Sequence, residues 1–214
     1  MFVSILATIA KGLPLTLVIT AGAFAIGATI GIPLAVGLRS PSRLVRLPVR
    51  LVVNLVRSVP VLVWLFLLYF GVYMGSFRFD PLPAAIVVLA ATTSCYLAET
   101  YRSAMDTISR GQFEASRALG LSRFTELVHV IVPQMFRVAL PAMSTFALVL
   151  IKDSSIPSVI GVADITHETT EVARTTGEGL MAYIGACVFY LGLSVLTALA
   201  ARLLGARLNK GAAR

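Results

Sequence analysis

Long uninterrupted runs of apolar residues are the dominant pattern along this chain. Crossing about 30 Å of hydrocarbon takes about 20 residues of α-helix, and continuous rather than alternating runs disfavour spanning strands. The pattern therefore predicts an all-α integral membrane protein with a single membrane domain over residues 12–208. The five predicted spans lie at about 13–37, 58–76, 81–101, 138–162 and 180–203.

Composition supports this class, and charge adds an orientation. Hydrophobic residues make up 57% of the chain, charged residues 13%, and the mean hydropathy is +0.89, which is too apolar for one soluble core. The net charge of +8 would suggest nucleic acid in a soluble protein, but Lys and Arg mark cytoplasmic loops in a membrane protein. Arginines concentrate after spans one, three and five, so we expect an outside N-terminus, a cytoplasmic C-terminus and no nucleic-acid partner. The segment after span four is acidic, with Asp164, Glu168, Glu171 and Glu178.

Charged residues inside two predicted spans are candidates for a solute path, because such residues usually face protein or water. Glu99 in span three either faces that path or pairs with Arg102 near the cytoplasmic end. Lys152 and Asp153 interrupt span four, as in the broken helices of solute pathways; alternatively, they pair with a neighbouring helix. Trp64 in span two either joins the aromatics of the outer interface or lines a cavity. The candidate path residues are Glu99, Lys152, Asp153, Ser154, Trp64 and Tyr96.

No metal site or bound cofactor is expected in this chain. Cys95 and Cys187 both lie in apolar runs and are interpreted as small buried residues. His129 and His167 fall on opposite sides of the membrane in the predicted topology, so they cannot share a metal ion.

Capping signals predict two helices joined by a corner between spans three and four, in a segment covering 109–132. Ser109 and Gln112 fit a capping box, so we expect a helix from Arg110 to Leu119. Gly120 can adopt the left-handed conformation that ends helices, and Ser122 is placed to cap the next helix. An exposed helix held at a fixed angle suits docking into a groove on another protein, although an amphipathic helix lying on lipid fits the same pattern.

This segment resembles the EAA pattern of permease subunits of ATP-binding-cassette importers, which reads EAA, three residues, Gly, nine residues, Ile-x-Leu-Pro. Glu114-Ala115-Ser116, Gly120 and Val130-x-Val132-Pro133 carry the resemblance, with conservative departures at Ser116, Val130 and Val132. The stretches that begin at Arg57, Tyr96 and Lys152 are similar to those of the polar amino-acid uptake branch. Trp64 stands where that branch commonly has Gln. The resemblance covers about 12–208.

The resemblance implies an integral subunit of an importer in the bacterial cytoplasmic (inner) membrane. Its coupling helix docks on a dimeric ATPase partner, which uses ATP and Mg²⁺, and a second permease subunit and an extracytoplasmic solute-binding protein complete the complex. The chain has no phosphate-cradling Gly-x-x-x-x-Gly-Lys-Ser/Thr loop, so it is expected not to be an enzyme. A permease for methionine or another small solute, or an ATPase-independent secondary transporter, is the alternative. The expected coupling residues are Glu114, Ala115, Ser116, Arg117, Ala118, Leu119, Gly120 and Leu121.

Overall fold

A computed structural model describes the backbone of residues 2–72 and 78–210. These residues form helices and turns without a strand, which confirms the all-α class. Four stretches are long and apolar enough to cross a membrane, and a bent helix pair makes a fifth if it is counted as one span. The helices are α1 (Phe2–Ile9), α2 (Leu13–Leu38), α3 (Arg43–Ser58), α4 (Val61–Gly71), α5 (Pro81–Asp106), α6 (Arg110–Ala118), α7 (Arg123–Thr125), α8 (Val132–Asp153), α9 (Ile165–Thr176) and α10 (Gly179–Lys210).

Helices α2 and α5 form the centre of the bundle. Small residues allow them to approach closely, which is how helices attract each other in lipid. A Cβ atom on Gly27 would lie only 2.6 Å from Cβ of Thr93. Helix α4 and the start of α8 pack against this pair, and α1 packs on α9 and α10 at the opposite end from α6. We call these two ends of the bundle the α6 end and the α9 end.

The second predicted span starts at a break between two helices. Span two was expected to run as one helix over 58–76, but α3 ends at Ser58 and the helix of the span, α4, covers Val61–Gly71, with a bend of 99° between the two. Pro60 causes the break, because it lacks an N–H and holds Val59 in an extended conformation. Residues 73–76 of the predicted span lie outside the described residues.

The fourth span begins and ends earlier than predicted. Helix α8 starts at Val132 rather than at 138, follows directly on a π-helical turn over Glu126–Ile131, and ends at Asp153 instead of continuing to 162. Lys152 is thus 20 residues, or about 30 Å, beyond Val132. The charged pair stands at the end of this helix, where Lys152 is favourably placed against the helix dipole, and not in its middle.

Candidate functional site

The corner predicted between α6 and α7 is present. Gly120 has φ +72°, the left-handed conformation that a side chain would strain. The amide of Leu121 donates to the carbonyl of Ser116 at 3.1 Å, which closes the end of α6. The hydroxyl of Ser122 accepts the amide of Thr125 at 3.1 Å and caps the next helix as expected.

The capping box predicted at the start of α6 does not form. Ser109 occupies the N-cap position, but its side chain makes no capping hydrogen bond. The amide of Gln112 instead donates to the Ser109 carbonyl at 3.1 Å. The side-chain oxygen of Gln112 accepts Nε2 of Gln134 at 3.1 Å, so this residue ties α6 to α8 rather than closing its own helix.

Besides the bond to Gln134 in α8, contacts to the end of α2 and to the π-helical turn fix the angle of α6. The guanidinium of Arg39 lies 5.6 Å from the ring centre of Phe113. Nε of Arg117 lies 3.8 Å from Oε2 of Glu126 in the π-helical turn. The hydroxyl of Ser116 is buried and donates to the Gln112 carbonyl at 2.8 Å. A nine-residue helix is marginal by itself, so these contacts make α6 a rigid projection of the bundle.

The opposite side of α6 is open. With 100° per residue, Glu114 and Ala118 point away from Ser116, and both are exposed. Leu119 is 78% exposed and Phe124 is 73% exposed beside the corner, an apolar patch of the kind that marks a protein contact. Of the eight predicted coupling residues, Ser116 faces the bundle, Leu121 is half-buried and the other six are exposed: Glu114, Ala115, Arg117, Ala118, Leu119 and Gly120.

Two adjoining cavities lie between the α3–α4 bend, α5 and α8. Arg57 and Tyr96 line both, since the guanidinium stacks over the Tyr96 ring at 4.9 Å from its centre. The smaller cavity, about 290 Å³, also reaches Thr92, and the larger, about 450 Å³, also reaches Glu99. Tyr96 and Glu99 were predicted path residues. Arg57 was missed, because it was counted only as a topology charge.

A series of ion pairs extends from Glu99 in the larger cavity to the α6 end. Glu99 Oε2 lies 2.7 Å from Nε of Arg102, whose Nη1 lies 3.0 Å from Asp106. Asp106 in turn pairs with Nε of Arg39 at 3.2 Å. Glu99 therefore fits both readings of the sequence, because it is paired with Arg102 and also lines the larger cavity.

The other predicted path residues lie elsewhere. Lys152 is exposed and Asp153 is half-buried, and neither has an ion-pair partner among the residues that the structure describes. Ser154 is buried, and its hydroxyl donates to the Ile151 carbonyl at 2.7 Å. None of these three lines the cavities that contain Arg57.

Trp64 holds the α3–α4 bend. Its Nε1 donates to the carbonyl of Val56 at 3.1 Å, one of the carbonyls that the end of α3 would otherwise leave without a partner. The indole also lines a mostly apolar cavity of about 290 Å³ with Leu68 and Val88. Trp64 is thus a wall residue and a brace for the bend.

Replacing Trp64 by phenylalanine should weaken the bend. W64F keeps an aromatic ring but leaves the Val56 carbonyl unpaired, at a cost of about 1 to 3 kcal/mol. Circular dichroism during heating of the purified protein measures this as a lower melting temperature. An unchanged melting temperature would show that the indole hydrogen bond does not stabilise the bend.

Helix α9 carries the acidic segment at the α9 end. Asp164 is fully buried, and its Oδ1 caps α9 by accepting the amide of His167 at 2.8 Å. Its Oδ2 has no hydrogen-bond partner. Glu168 is half-buried and Glu171 is exposed beside Arg174, 3.2 Å away. The acidic surface at this end is therefore formed by glutamates, because Asp164 faces inward.

Asp164 should make stability depend on pH. Burial raises the pKa of its carboxyl from 3.8 to about 6, so the folded state binds this proton more tightly than the unfolded state does. The stabilisation is complete below about pH 4, is lost as the pH rises to about 6, and amounts to at most about 3 kcal/mol.

The variant D164N tests this, because asparagine caps equally well and does not titrate. The melting temperature of D164N minus that of the wild type should rise between about pH 4 and about pH 6 and then stay level. E171Q, at an exposed position of the same helix, should show no such rise. A constant difference for D164N across this range would contradict the assignment.

Comparison with known proteins defines the class of protein. The family described as "Binding-protein-dependent transport system inner membrane component" matches residues 27–210, and the chain belongs to this family. It is therefore a membrane-embedded permease component of a transport system.

Particular relatives are transport permeases. The chain is 32% identical over 188 residues to the "Probable amino-acid ABC transporter permease protein YckA" of Bacillus subtilis, covering 88% of this chain and 83% of the relative. It is 31% identical over 176 residues to the arginine ABC transporter permease protein ArtQ of Haemophilus influenzae, covering 79% and 80%. A crystal structure of an amino acid ABC transporter with histidines superposes with TM-score 0.85 at 29% identity, covering 97% of this chain and 98% of that one.

Proposed function

We propose that this chain is one of two permease subunits of an ATP-driven importer in a bacterial inner membrane and that it carries a polar amino acid. The relatives named above support the solute class. The observation that carries the proposal is α6, a short exposed helix held rigidly against α8 and the π-helical turn by Gln134 and Glu126.

In this proposal the α6 end is cytoplasmic and the α9 end is extracytoplasmic. The arginines of α3 and the basic residues at the end of α10 belong to the segments that follow spans one and five. They support this orientation, because cytoplasmic segments collect Arg and Lys. The N-terminus is then outside and the C-terminus inside.

The open side of α6, including Glu114 and Ala118, docks on the ATPase partner, which binds ATP and Mg²⁺. Closure of two ATPase subunits moves their docked helices. Because α6 is fixed to the start of α8, such a movement is transmitted along α8 toward the cavities instead of being absorbed by a flexible loop.

The solute path runs past the two adjoining cavities. Arg57 supplies a planar guanidinium with donors for a carboxylate, and Glu99 supplies a carboxylate for an ammonium group. A polar amino acid carries both groups, and Tyr96 lies between these charges as an aromatic wall. A second permease subunit completes the path, because the five spans of one chain leave these cavities open at the surface of the bundle.

At the α9 end, a solute-loaded binding protein meets the acidic surface of Glu168, Glu171 and Glu178. Complementary charge at this surface raises the association rate of the binding protein and sets its orientation on the permease more than it raises the binding affinity. Asp164 is not part of the contact, since it is buried beneath α9.

Reconstituted transport tests the function. Proteoliposomes that hold the complete complex, with the binding protein outside and ATP inside, should accumulate radiolabelled polar amino acids. Vesicles that contain ADP in place of ATP should not accumulate them. ATP-independent uptake driven by an ion gradient would overturn the proposal in favour of a secondary transporter, and uptake restricted to methionine would overturn the solute class alone.

A further inference from the structure

Helix α3 was not predicted from the sequence, and its surface has three distinct faces. At 100° per residue, one face consists of valines that pack on α2 and α5: Val53 is buried against Leu38 and Ala98. A second face is an exposed leucine stripe, and a third is an arginine stripe. The leucine stripe is Leu44, Leu47, Leu51 and Leu55, which are 88%, 56%, 69% and 53% exposed. The arginine stripe is Arg43, Arg46, Arg50 and Arg57.

The arginine stripe has no anionic partner among the residues that the structure describes. The first carboxylate in the sequence is Asp80, so residues 1–79 contain cations only. Among the described residues, Arg43, Arg46 and Arg50 take part in no ion pair, and Arg46 only donates to the Ser40 carbonyl at 3.4 Å. Three neighbouring cations without a counter-charge repel one another. Binding an anion from outside the chain would relieve this repulsion.

The position of α3 places these cations at the end of the bundle where α6 lies. Arg46 contacts Ser40, and the adjacent Arg39 pairs with Asp106 at the last residue of α5. The sharp bend to α4 directs α3 across the bundle rather than along it. A helix with arginines on one side and exposed leucines on another, lying across the end of a membrane bundle, has the properties of an interfacial helix.

We propose that α3 is a binding surface for anionic phospholipid, with its leucine stripe among the acyl chains and Arg43, Arg46 and Arg50 on the phosphate groups. This lipid requirement goes beyond the proposed transport function. Arginine suits phosphate because its planar fork donates two parallel hydrogen bonds. An anionic leaflet surface attracts basic segments of this kind, and the leucines add apolar burial.

A second copy of the chain fits this surface less well. Three of the four carboxylates near the α6 end are already paired within the chain, Glu99 with Arg102, Asp106 with Arg39 and Glu126 with Arg117. The fourth, Glu114, is exposed on the side of α6 that the proposed ATPase contact covers. A neighbouring permease subunit therefore offers few unpaired anions for the stripe, whereas an anionic leaflet offers one phosphate per lipid.

The lipids retained by the purified importer complex test the proposal. The complex is exchanged into mixed micelles of phosphatidylglycerol and phosphatidylcholine, and the bound lipids are counted by mass spectrometry. In R43Q/R46Q/R50Q the association constant for phosphatidylglycerol should fall on the order of 100-fold, since each arginine contributes about fivefold. R43K/R46K/R50K keeps the charge and should retain most of the preference. Added salt should weaken retention by the wild type and by the lysine variant, but not by the glutamine variant. Equal phosphatidylglycerol retention by the glutamine variant and the wild type would overturn the proposal.

A second measurement locates the leucine stripe and does not depend on the arginine variants. A fluorophore on L51C should be quenched by phosphatidylglycerol with brominated acyl chains. The background is C187S, because Cys187 is exposed and not buried as the sequence predicted. An unquenched fluorophore would overturn the proposal. In unlabelled protein, an oxidant-induced disulfide between L51C and a cysteine introduced into the second permease subunit would show that this face is a subunit interface and would overturn it as well.

Discussion

Replacing Arg57 by alanine should strongly reduce solute uptake while leaving the complex assembled. Arg57 is the cation shared by the two cavities, and its guanidinium is stacked on Tyr96 rather than needed for an ion pair within the described chain. If it receives the solute carboxylate, its loss removes a charge-assisted hydrogen bond and lowers uptake by about 10- to 100-fold. Uptake of radiolabelled solute into proteoliposomes measures this directly.

The variant R57K separates charge from geometry. Lysine keeps the positive charge but lacks the planar fork, so uptake should be intermediate between the wild type and R57A. Size-exclusion chromatography must show that both variants remain in the complex. An assembled R57A complex that transports at the wild-type rate would remove Arg57 from the solute path.

Replacing Gly12 by alanine should strongly destabilise the chain. A Cβ atom at this position would lie 2.3 Å from the backbone carbon of Asp164 and 2.4 Å from the amide nitrogen of Ile165. Backbone cannot move aside as a flexible side chain can, so the cost is about 3 kcal/mol or more. The melting temperature should fall by about 10 °C, as measured by heating the protein in detergent and monitoring aggregation.

Gly192 provides the matched control. It lies within α10, and a Cβ atom there has no neighbour within 4 Å. Alanine gains about 1 kcal/mol of helix propensity over glycine at such a site, so G192A should be as stable as the wild type or more stable. Equal melting temperatures for G12A and G192A would contradict the tight contact between the start of α2 and Asp164.

Local signals in the sequence account for the parts of the fold that were predicted well. Pro81 begins α5 as expected because proline is favoured in the first helical turn. Gly120 and Ser122 define the corner after α6 because a left-handed glycine and an N-cap serine act within a few residues. Such features depend little on tertiary packing, and so they are readable from a single sequence.

Features that depend on tertiary contacts were missed or misjudged. Helix α3 was read as a loop because its arginines were counted only as topology signals, although their spacing follows one helix face. The start of α8 was placed too late because Arg137 was taken as the boundary of the apolar run. The capping box at Ser109 does not form, since the amide of Gln112 donates to the Ser109 carbonyl and the Gln112 side chain bonds to Gln134, 22 residues away.

The candidate site shows the same division. Tyr96 and Glu99 could be predicted because they share one face of α5. The presence of Arg57 in the site could not be predicted, because the break at Pro60 places the end of α3 against Tyr96, which is 39 residues away in the sequence. The separation of Lys152 from this cavity likewise follows from where α8 ends, which no local signal before Asp153 determines.

Docking of the ATPase partner on α6 is the central claim, and Ala118 offers the most direct test of it. This residue is exposed on the side of α6 that points away from the bundle, so a substitution there leaves the internal contacts of α6 intact. The measurement is ATP hydrolysis stimulated by solute-loaded binding protein in proteoliposomes. In A118R an unpaired charge is forced into the docking groove, and stimulation should fall about tenfold or more, whereas A118S should behave like the wild type. Full stimulation in the A118R complex would contradict the docking of α6.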